Sequence, residues 1–211
     1  VMAPTIRRPK PVTVYFVAHF DQPVEHVGGW KNKLLMEHKV SQIEGESTGI
    51  YAVFPESTDI LKMKVAISYT SIENARLNMK YELPHWDFER VKQASFDVWN
   101  QWLNRINVSG GTRQQQVKFY TDLWHALQGR RIVSDVNGDY IDNTGNEPII
   151  RRVRMQHGSP VYPHYNFDAW WISHWSVNIL WSMAYPEVMA GFCNTMVDIY
   201  KNSGLIPRGY S

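Results

Sequence analysis

The segment Asp135-Val136-Asn137-Gly138-Asp139 places three oxygen-bearing side chains at alternate positions around a glycine. This order resembles the opening of a calcium-binding loop, because hard oxygen ligands suit Ca²⁺. The segment lacks the full EF-hand spacing and the distal glutamate that completes such a loop. Asn-Gly is also a strong signal for a tight hairpin. We therefore predict a hairpin at Asn137-Gly138 and no metal ligands in this segment.

Aromatic residues are the second feature that could do chemistry. The chain has 9 Trp, 11 Tyr and 8 Phe, and several tryptophans lie between residues 170 and 181. Large rings fill helical cores, and they also stack on sugar faces while polar neighbours bond the hydroxyls. Core packing is the commoner fate of such rings, so the composition alone leaves both interpretations open.

Composition and charge exclude several classes of protein. With 211 residues, 44% of them hydrophobic and 20% charged, the chain is that of a folded globular protein. The net charge is +2 and no basic stripe stands out, which argues against nucleic acid or an anionic membrane as partner. We find no stretch of membrane-spanning length and no apolar core of a signal peptide at the start. A single cysteine leaves the redox compartment open.

Alternating apolar and polar residues predict strands in the first third of the chain. Residues 12–20 and 61–69 alternate most clearly, and residues 49–54 form a shorter candidate. Short strands separated by polar loops favour a β-sandwich over a βαβ fold.

Helical spacing replaces this alternation from Ser71 onward. We predict a short helix that ends before Pro84 and a second helix that is capped by Asp87. A third helix begins with a capping box of Thr112 and Gln115. The predicted buried stripe of the third helix consists of Val117, Tyr120, Trp124 and Leu127.

The last part of the sequence combines an irregular segment with further helices. Residues 143–163 are polar and contain prolines, which is typical of loops that carry function. Helical spacing returns at residue 167, and Pro186 and Gly204 are placed to begin and end the last helix. Its predicted apolar face, with the cysteine as a buried small hydrophobe, consists of Met189, Phe192, Cys193, Met196 and Tyr200.

Six blocks of sequence follow one another from residue 67 onward: ISYTSIENARLN, ELPHWDFERV, WNQWLNRINVSGGT, FYTDLWHAL, SDVNGDY and WSMAYPEVMAGFCNTMVDIYKNSGLIPRG. Together they resemble glycoside hydrolase family 92. The resemblance implies an α+β multidomain protein with an N-terminal β-sandwich, a helical linker and a C-terminal (α/α)6 barrel. Residues 1–84 would be the C-terminal part of the sandwich and residues 85–107 the linker helix. Residues 108–211 would be the first helices of an incomplete barrel.

The resemblance also implies a reaction. Family members remove terminal α-linked mannose from glycans with inversion of configuration and with calcium. In the family the acid, the base and the calcium ligands lie downstream of the PRG segment, so we assign no catalytic residue and no metal ligand here. The implied partners are a mannose-containing glycan or glycoprotein and the remainder of the same polypeptide. The implied location is secreted, periplasmic or at the cell surface.

Part of a sugar-binding wall is expected in this chain. Many family members carry a W-D-T-x-R motif in the helix that corresponds to residues 167–185, where this chain has SHWSVNILW. When His174 is aligned with the tryptophan of the motif, Trp175 replaces the aspartate and Asn178 replaces the arginine. Neither charge of the motif is then kept. The substrate-binding candidates are Asp168, His174, Trp175 and Arg208. Each has an ordinary alternative as a helix-terminal acid, a core histidine, a core ring or a surface arginine.

The altered motif leaves other functions open. One alternative is a non-catalytic glycan-binding relative of the enzymes. Another is a different (α/α)6 enzyme, either a glycosidase or a phosphorylase.

Overall fold

The computed structural model describes residues 11–36, 40–129, 131–166 and 173–206. Their contacts divide the chain into two compact units. One unit consists of residues 17–66, and the other of the described residues before 17 and after 66. The predicted α+β class is confirmed, because small sheets and helices both occur. The predicted domain limits at residues 84 and 107 stay a prediction.

Five strands come first in the chain: β1 (Tyr15–Phe20), β2 (His26–Lys31), β3 (Leu34–Met36), β4 (Thr48–Val53) and β5 (Met63–Ser68). β1 and β5 form a two-stranded sheet. β2 lies between β3 and β4 in a three-stranded antiparallel sheet. Alternation therefore predicted β1, β4 and β5, whereas β2 and β3 were not predicted.

The helices that lie within the described residues are α1 (Ile72–Glu82), α2 (Phe88–Leu103), α3 (Arg113–Leu127), α4 (Val177–Ala184) and α5 (Pro186–Ser203). Three of the predicted end signals are confirmed. Asp87 caps α2 by accepting a hydrogen bond from the backbone of Arg90 at 3.0 Å. Thr112 and Gln115 form the capping box of α3, and Gly204 ends α5 with a left-handed φ of 72°. No helix within these described segments is both long and apolar enough to cross a membrane.

Between α3 and α4 the described residues form four short strands: β6 (Asp139–Asp142), β7 (Ile149–Arg152), β8 (Met155–Gln156) and β9 (Ser159–Pro160). β6 pairs with β7, and β8 pairs with β9. The prediction of a hairpin at Asn137-Gly138 is therefore wrong in its pairing, although a tight turn does form there. The interpretation of residues 143–163 as irregular is wrong as well, because β7, β8 and β9 lie within them.

Two apolar clusters form the core of the larger unit. Leu123 of α3 packs with Trp181 and Tyr185, and Phe192 and Ile199 of α5 pack with Tyr165. The clusters touch the same neighbours, since Val188 and Met189 pack against both.

The predicted apolar faces are rotated relative to the observed ones. On α3 the fully buried residue is Leu123, and Val117 and Trp124 are exposed. On α5 the buried residues continue from Phe192 to Thr195 and Ile199, so Cys193 is exposed and its predicted burial is wrong.

Candidate functional site

The turn between α3 and β6 holds Asp135 and Asp139. The backbone N–H of Asp135 donates to the carbonyl of Asp139 at 2.8 Å, and that of Gly138 donates to the carbonyl of Asp135 at 2.8 Å. Gly138 has a φ of 84°, and a Cβ there would lie 2.8 Å from Val153. Only glycine suits this position, because it needs both the left-handed backbone and the missing side chain.

The carboxylate of Asp135 is buried and is surrounded by neutral donors. Asn78 Nδ2 donates to its Oδ1 at 2.7 Å. Its Oδ2 accepts from Ser68 Oγ at 2.9 Å, from Asn74 Nδ2 at 3.1 Å and from the Thr70 hydroxyl. Both carboxylate oxygens therefore already accept hydrogen bonds from side chains of this protein. Among the residues with described side chains, no group of three or more acidic, histidine or cysteine side chains is placed to hold a metal ion.

Asp139 lies at the start of β6 and pairs with Arg152 of β7. Arg152 donates through Nε to Oδ1 at 2.6 Å and through Nη2 to Oδ2 at 3.1 Å. Burial favours the neutral acid, but hydrogen bonds from Arg152, Asn74 and Asn137 outweigh it and lower the pKa of Asp139. Asp139 is therefore ionised at neutral pH. Both aspartates accept hydrogen bonds from α1 and so fasten that helix to the turn and to β6.

His164 is a buried imidazole that the sequence analysis did not single out. Its ring stacks on Tyr140 with centroids 3.8 Å apart and planes 8° from parallel. Neither ring nitrogen has a hydrogen-bond partner among the residues that the structure describes. Burial lowers the pKa of His164 to about 4, against the opposing charge of Asp142. The imidazole is therefore neutral at neutral pH, and periodicity gives no signal for such a residue.

A polar contact joins this region to α5. Tyr162 donates its hydroxyl to Asp198 at 2.8 Å, and Asn202 donates to the Tyr140 hydroxyl at 3.1 Å. Burial, followed by the hydrogen bond to Asp198, raises the pKa of Tyr162 to about 12. Burial also raises the pKa of Asp198. These hydrogen bonds fasten Tyr140 and Tyr162 to α5.

Two of the four predicted sugar contacts lie in the described part of the chain. His174 and Trp175 precede α4, and their ring centroids are 4.7 Å apart. Trp175 is 75% exposed, so its ring is not packed in the core of the described residues. Asn178, in the position of the motif arginine, is buried, and its side-chain amide has no hydrogen-bond partner in the described part of the chain. Asp168 and Arg208 lie outside the described residues.

Comparisons with known proteins agree with this fold. The model of the glycosyl hydrolase family 92 catalytic domain matches residues 74–211. An inverting mannosidase of family GH92 from Bacteroides thetaiotaomicron superposes with a TM-score of 0.82 at 23% identity, over 95% of this chain and 26% of its own. An α-mannosidase of the family from the same organism superposes with a TM-score of 0.72 at 21% identity, over 90% of this chain and 25% of its own. The GH92 family glycosyl hydrolase ccman5 superposes with a TM-score of 0.76 at 19% identity, over 90% of this chain and 25% of its own.

The extent of these matches defines what they show. No curated protein matches the chain. The chain spans about a quarter of the length of the solved relatives. The family model covers well over half of the 211 residues. The chain therefore belongs to glycosyl hydrolase family 92.

Proposed function

We propose that the chain is part of an exo-acting enzyme that removes terminal α-linked mannose from glycans, with inversion of configuration and with calcium. The observation that carries the proposal is the match of the family's catalytic-domain model to residues 74–211. Two solved relatives are described as mannosidases, one of them as inverting. A structure of the other contains mannoimidazole.

The finer architecture is part of the same proposal. Residues 1–84 would end a β-sandwich, residues 85–107 would form the linker helix, and residues 108–211 would begin an (α/α)6 barrel. Supporting this, α2 has no buried residue, and α4 exposes Ile179 and Met183 one turn apart. Apolar helix faces are normally covered in a folded protein. The remainder of the same polypeptide would cover these.

The chemistry divides between this chain and that remainder. Inversion needs a protonated carboxylic acid at the leaving oxygen and a carboxylate that activates water, set about 6.5–9.5 Å apart. We expect both groups outside the present residues. In this chain the exposed ring of Trp175 would stack on a sugar face, and His174 would bond a hydroxyl.

The described residues do not fit a calcium site, because side-chain donors already occupy the Asp135 carboxylate. We therefore expect the ligands of the ion elsewhere in the enzyme. Mannose-containing glycans and glycoproteins as substrates imply a secreted, periplasmic or cell-surface enzyme.

The test uses the full-length protein and an α-linked aryl mannoside. We expect mannose release that EDTA abolishes and that added Ca²⁺ restores, with β-mannose as the first anomer in the proton NMR spectrum. Release of α-mannose first would contradict inversion, and activity that is indifferent to EDTA would contradict the role of calcium. Turnover that requires phosphate would instead indicate a phosphorylase.

A glycan-binding relative without activity is the second candidate. The replacement of both charges of the W-D-T-x-R motif by Trp175 and Asn178 favours it. Binding of mannosides by full-length protein that releases no sugar would establish this function.

A further inference from the structure

A cavity of ≈ 230 Å³ lies in the larger unit, beside the β6–β7 hairpin. It is smaller than the roughly 300–1,000 Å³ typical of pockets for drug-sized ligands, so it suits a molecule of about one sugar ring. It shares no residue with the predicted contacts His174 and Trp175. The residues on which the argument rests are Tyr15, Tyr69, Thr70, Ile141 and Ile150.

The hairpin supplies an apolar wall to this cavity. Ile141 of β6 and Ile150 of β7 are directly opposite each other in the antiparallel register. Their side chains therefore stand side by side on one face of the hairpin. Ile150 is 53% exposed although it lines a concave surface, so the wall is open to a ligand.

Other lining residues are aromatic or carry hydroxyl groups. Tyr15 and Tyr69 line the cavity, and their hydroxyls make no hydrogen bond within the described segments of the chain. Thr70 is buried, and its hydroxyl is held by Asp135 and Asn74. The network around Asp135 thus fixes the backbone that carries Tyr69.

The described lining residues carry no charge. An anionic or cationic ligand would lose its hydration there without gaining a charged partner. A pyranose ring has the complementary chemistry, because its C–H face packs on aliphatic and aromatic groups while its hydroxyls bond phenols.

We propose that this cavity binds one neutral sugar unit, as an accessory site that is separate from the residues predicted to contact the cleaved sugar. That the sugar is mannose rests on the proposed function. That the ligand is a neutral sugar rests on the cavity and its uncharged lining. A sugar held by a single small pocket of this kind binds weakly, with a dissociation constant on the order of 1 mM.

The test is methyl NMR on full-length protein labelled at isoleucine, titrated with methyl α-D-mannopyranoside. We expect the Ile141 and Ile150 resonances to shift and to saturate together. Ile150→Arg should fill the cavity and abolish the Ile141 shift. Ile149→Arg is the matched control, because Ile149 is similarly exposed at 49% but neighbours Ile150 on the other face of β7. The control should leave the titration unchanged.

Other outcomes would overturn the proposal. Resonances that stay still at saturating sugar would show that the site does not bind it. Equal loss of the Ile141 shift in both variants would show that the response does not come from this cavity. Strong contacts between Ile150 and another part of the polypeptide would show that the chain itself fills the space. Because the readout is not activity, a failed mannosidase assay leaves this result interpretable.

Discussion

Asp135 receives hydrogen bonds from residues on β5, on α1 and on the connection between them. Ser68, Thr70, Asn74 and Asn78 all donate to its carboxylate. Removing this acceptor lowers the free energy of unfolding by more than the hydrogen bonds contributed, because each buried donor is then left without an acceptor. The stability of the larger unit should therefore be sensitive to this one side chain.

We predict that Asp135→Ala lowers the free energy of unfolding by about 3–5 kcal/mol, since it strands several buried donors at once. Chemical denaturation of the full-length protein, followed by tryptophan fluorescence, would measure the loss. Asp122→Ala is the control, because Asp122 forms only an exposed ion pair with Lys118 and should cost at most about 1 kcal/mol. Equal effects of the two changes would refute the assigned importance of Asp135.

His164 should make stability depend on pH. The pKa of His164 is about 4 in the folded protein, against 6.5 for an ordinary histidine, so between these pH values the unfolded chain binds more protons. The free energy of unfolding therefore falls as pH decreases from 6.5 to 4, by up to about 3 kcal/mol. The pKa values of Asp139 and Asp142 are also lowered in the folded protein. The free energy of unfolding therefore falls further once the pH drops below the ordinary pKa of an aspartate.

The variant His164→Phe keeps a ring beside Tyr140 and removes two buried nitrogens that have no hydrogen-bond partner in the described segments. We expect unchanged or higher stability at pH 7 and a flatter profile between pH 6.5 and 4, measured as unfolding midpoints in buffers across that range. His125→Phe, at an exposed position on α3, is the comparison and should keep the slope of the parent. A parental slope in His164→Phe would contradict the pKa assignment.

At the scale of elements, the start of α3 depends on its capping box. Thr112 Oγ1 accepts from the backbone of Gln115 at 3.2 Å, and Gln115 Oε1 accepts from the backbone of Thr112 at 2.8 Å. These contacts satisfy two N–H groups that the helix itself leaves unpaired.

We predict that Thr112→Ala destabilises the protein by about 1 kcal/mol. Thr121→Ala lies within the same helix, where alanine is the better helix former, and should be neutral or slightly stabilising. Unfolding midpoints of the two variants provide the measurement. A larger loss for Thr121→Ala would mean that the cap contributes little.

The ends of helices could be predicted from the sequence because a cap is a local interaction. Asp87, Thr112 and Gly204 each act within a few residues of their own position. Strand β2 was missed for a non-local reason. Its glycines interrupt the alternation, and Gly28 is needed because the ring of Tyr51 occupies the place of a Cβ.

The pairing of strands and the buried side of each helix were predicted less well than the ends of helices. Asn137-Gly138 makes the predicted turn, but β6 pairs with the later strand β7, and no turn signal specifies a distant partner. On α3 and α5 the periodicity was right, while the buried side was set by Trp181 and Tyr165, which come from elsewhere in the chain. Of the candidate site, the sequence indicated the exposed Trp175 but not the cavity beside Ile150.

At the scale of the whole molecule, apolar surface is plentiful. Phe88, Phe96 and Val98 of α2 and Met183 of α4 are all exposed. Large contiguous apolar patches are uncommon on soluble monomers and mark surfaces that contact other protein. This agrees with a chain that spans about a quarter of the solved relatives.

We predict that the 211 residues expressed alone self-associate or bind the dye ANS strongly, whereas the full-length protein does neither. Size-exclusion chromatography with light scattering would make the comparison. A monodisperse, dye-free monomer of the short chain would show that it covers its own apolar faces.

The long reach of the Asp135 network has a consequence during biosynthesis. Thr70 precedes Asp135 by 65 residues, so translation at roughly 5–20 residues per second delays the acceptor by several seconds after its donors emerge. Throughout that interval Asn74 and Asn78 have only water and local acceptors, the Thr70 hydroxyl and the Ile67 carbonyl, as partners. Slow decoding or a pause between these codons would lengthen the exposure of the nascent chain to chaperones and proteases.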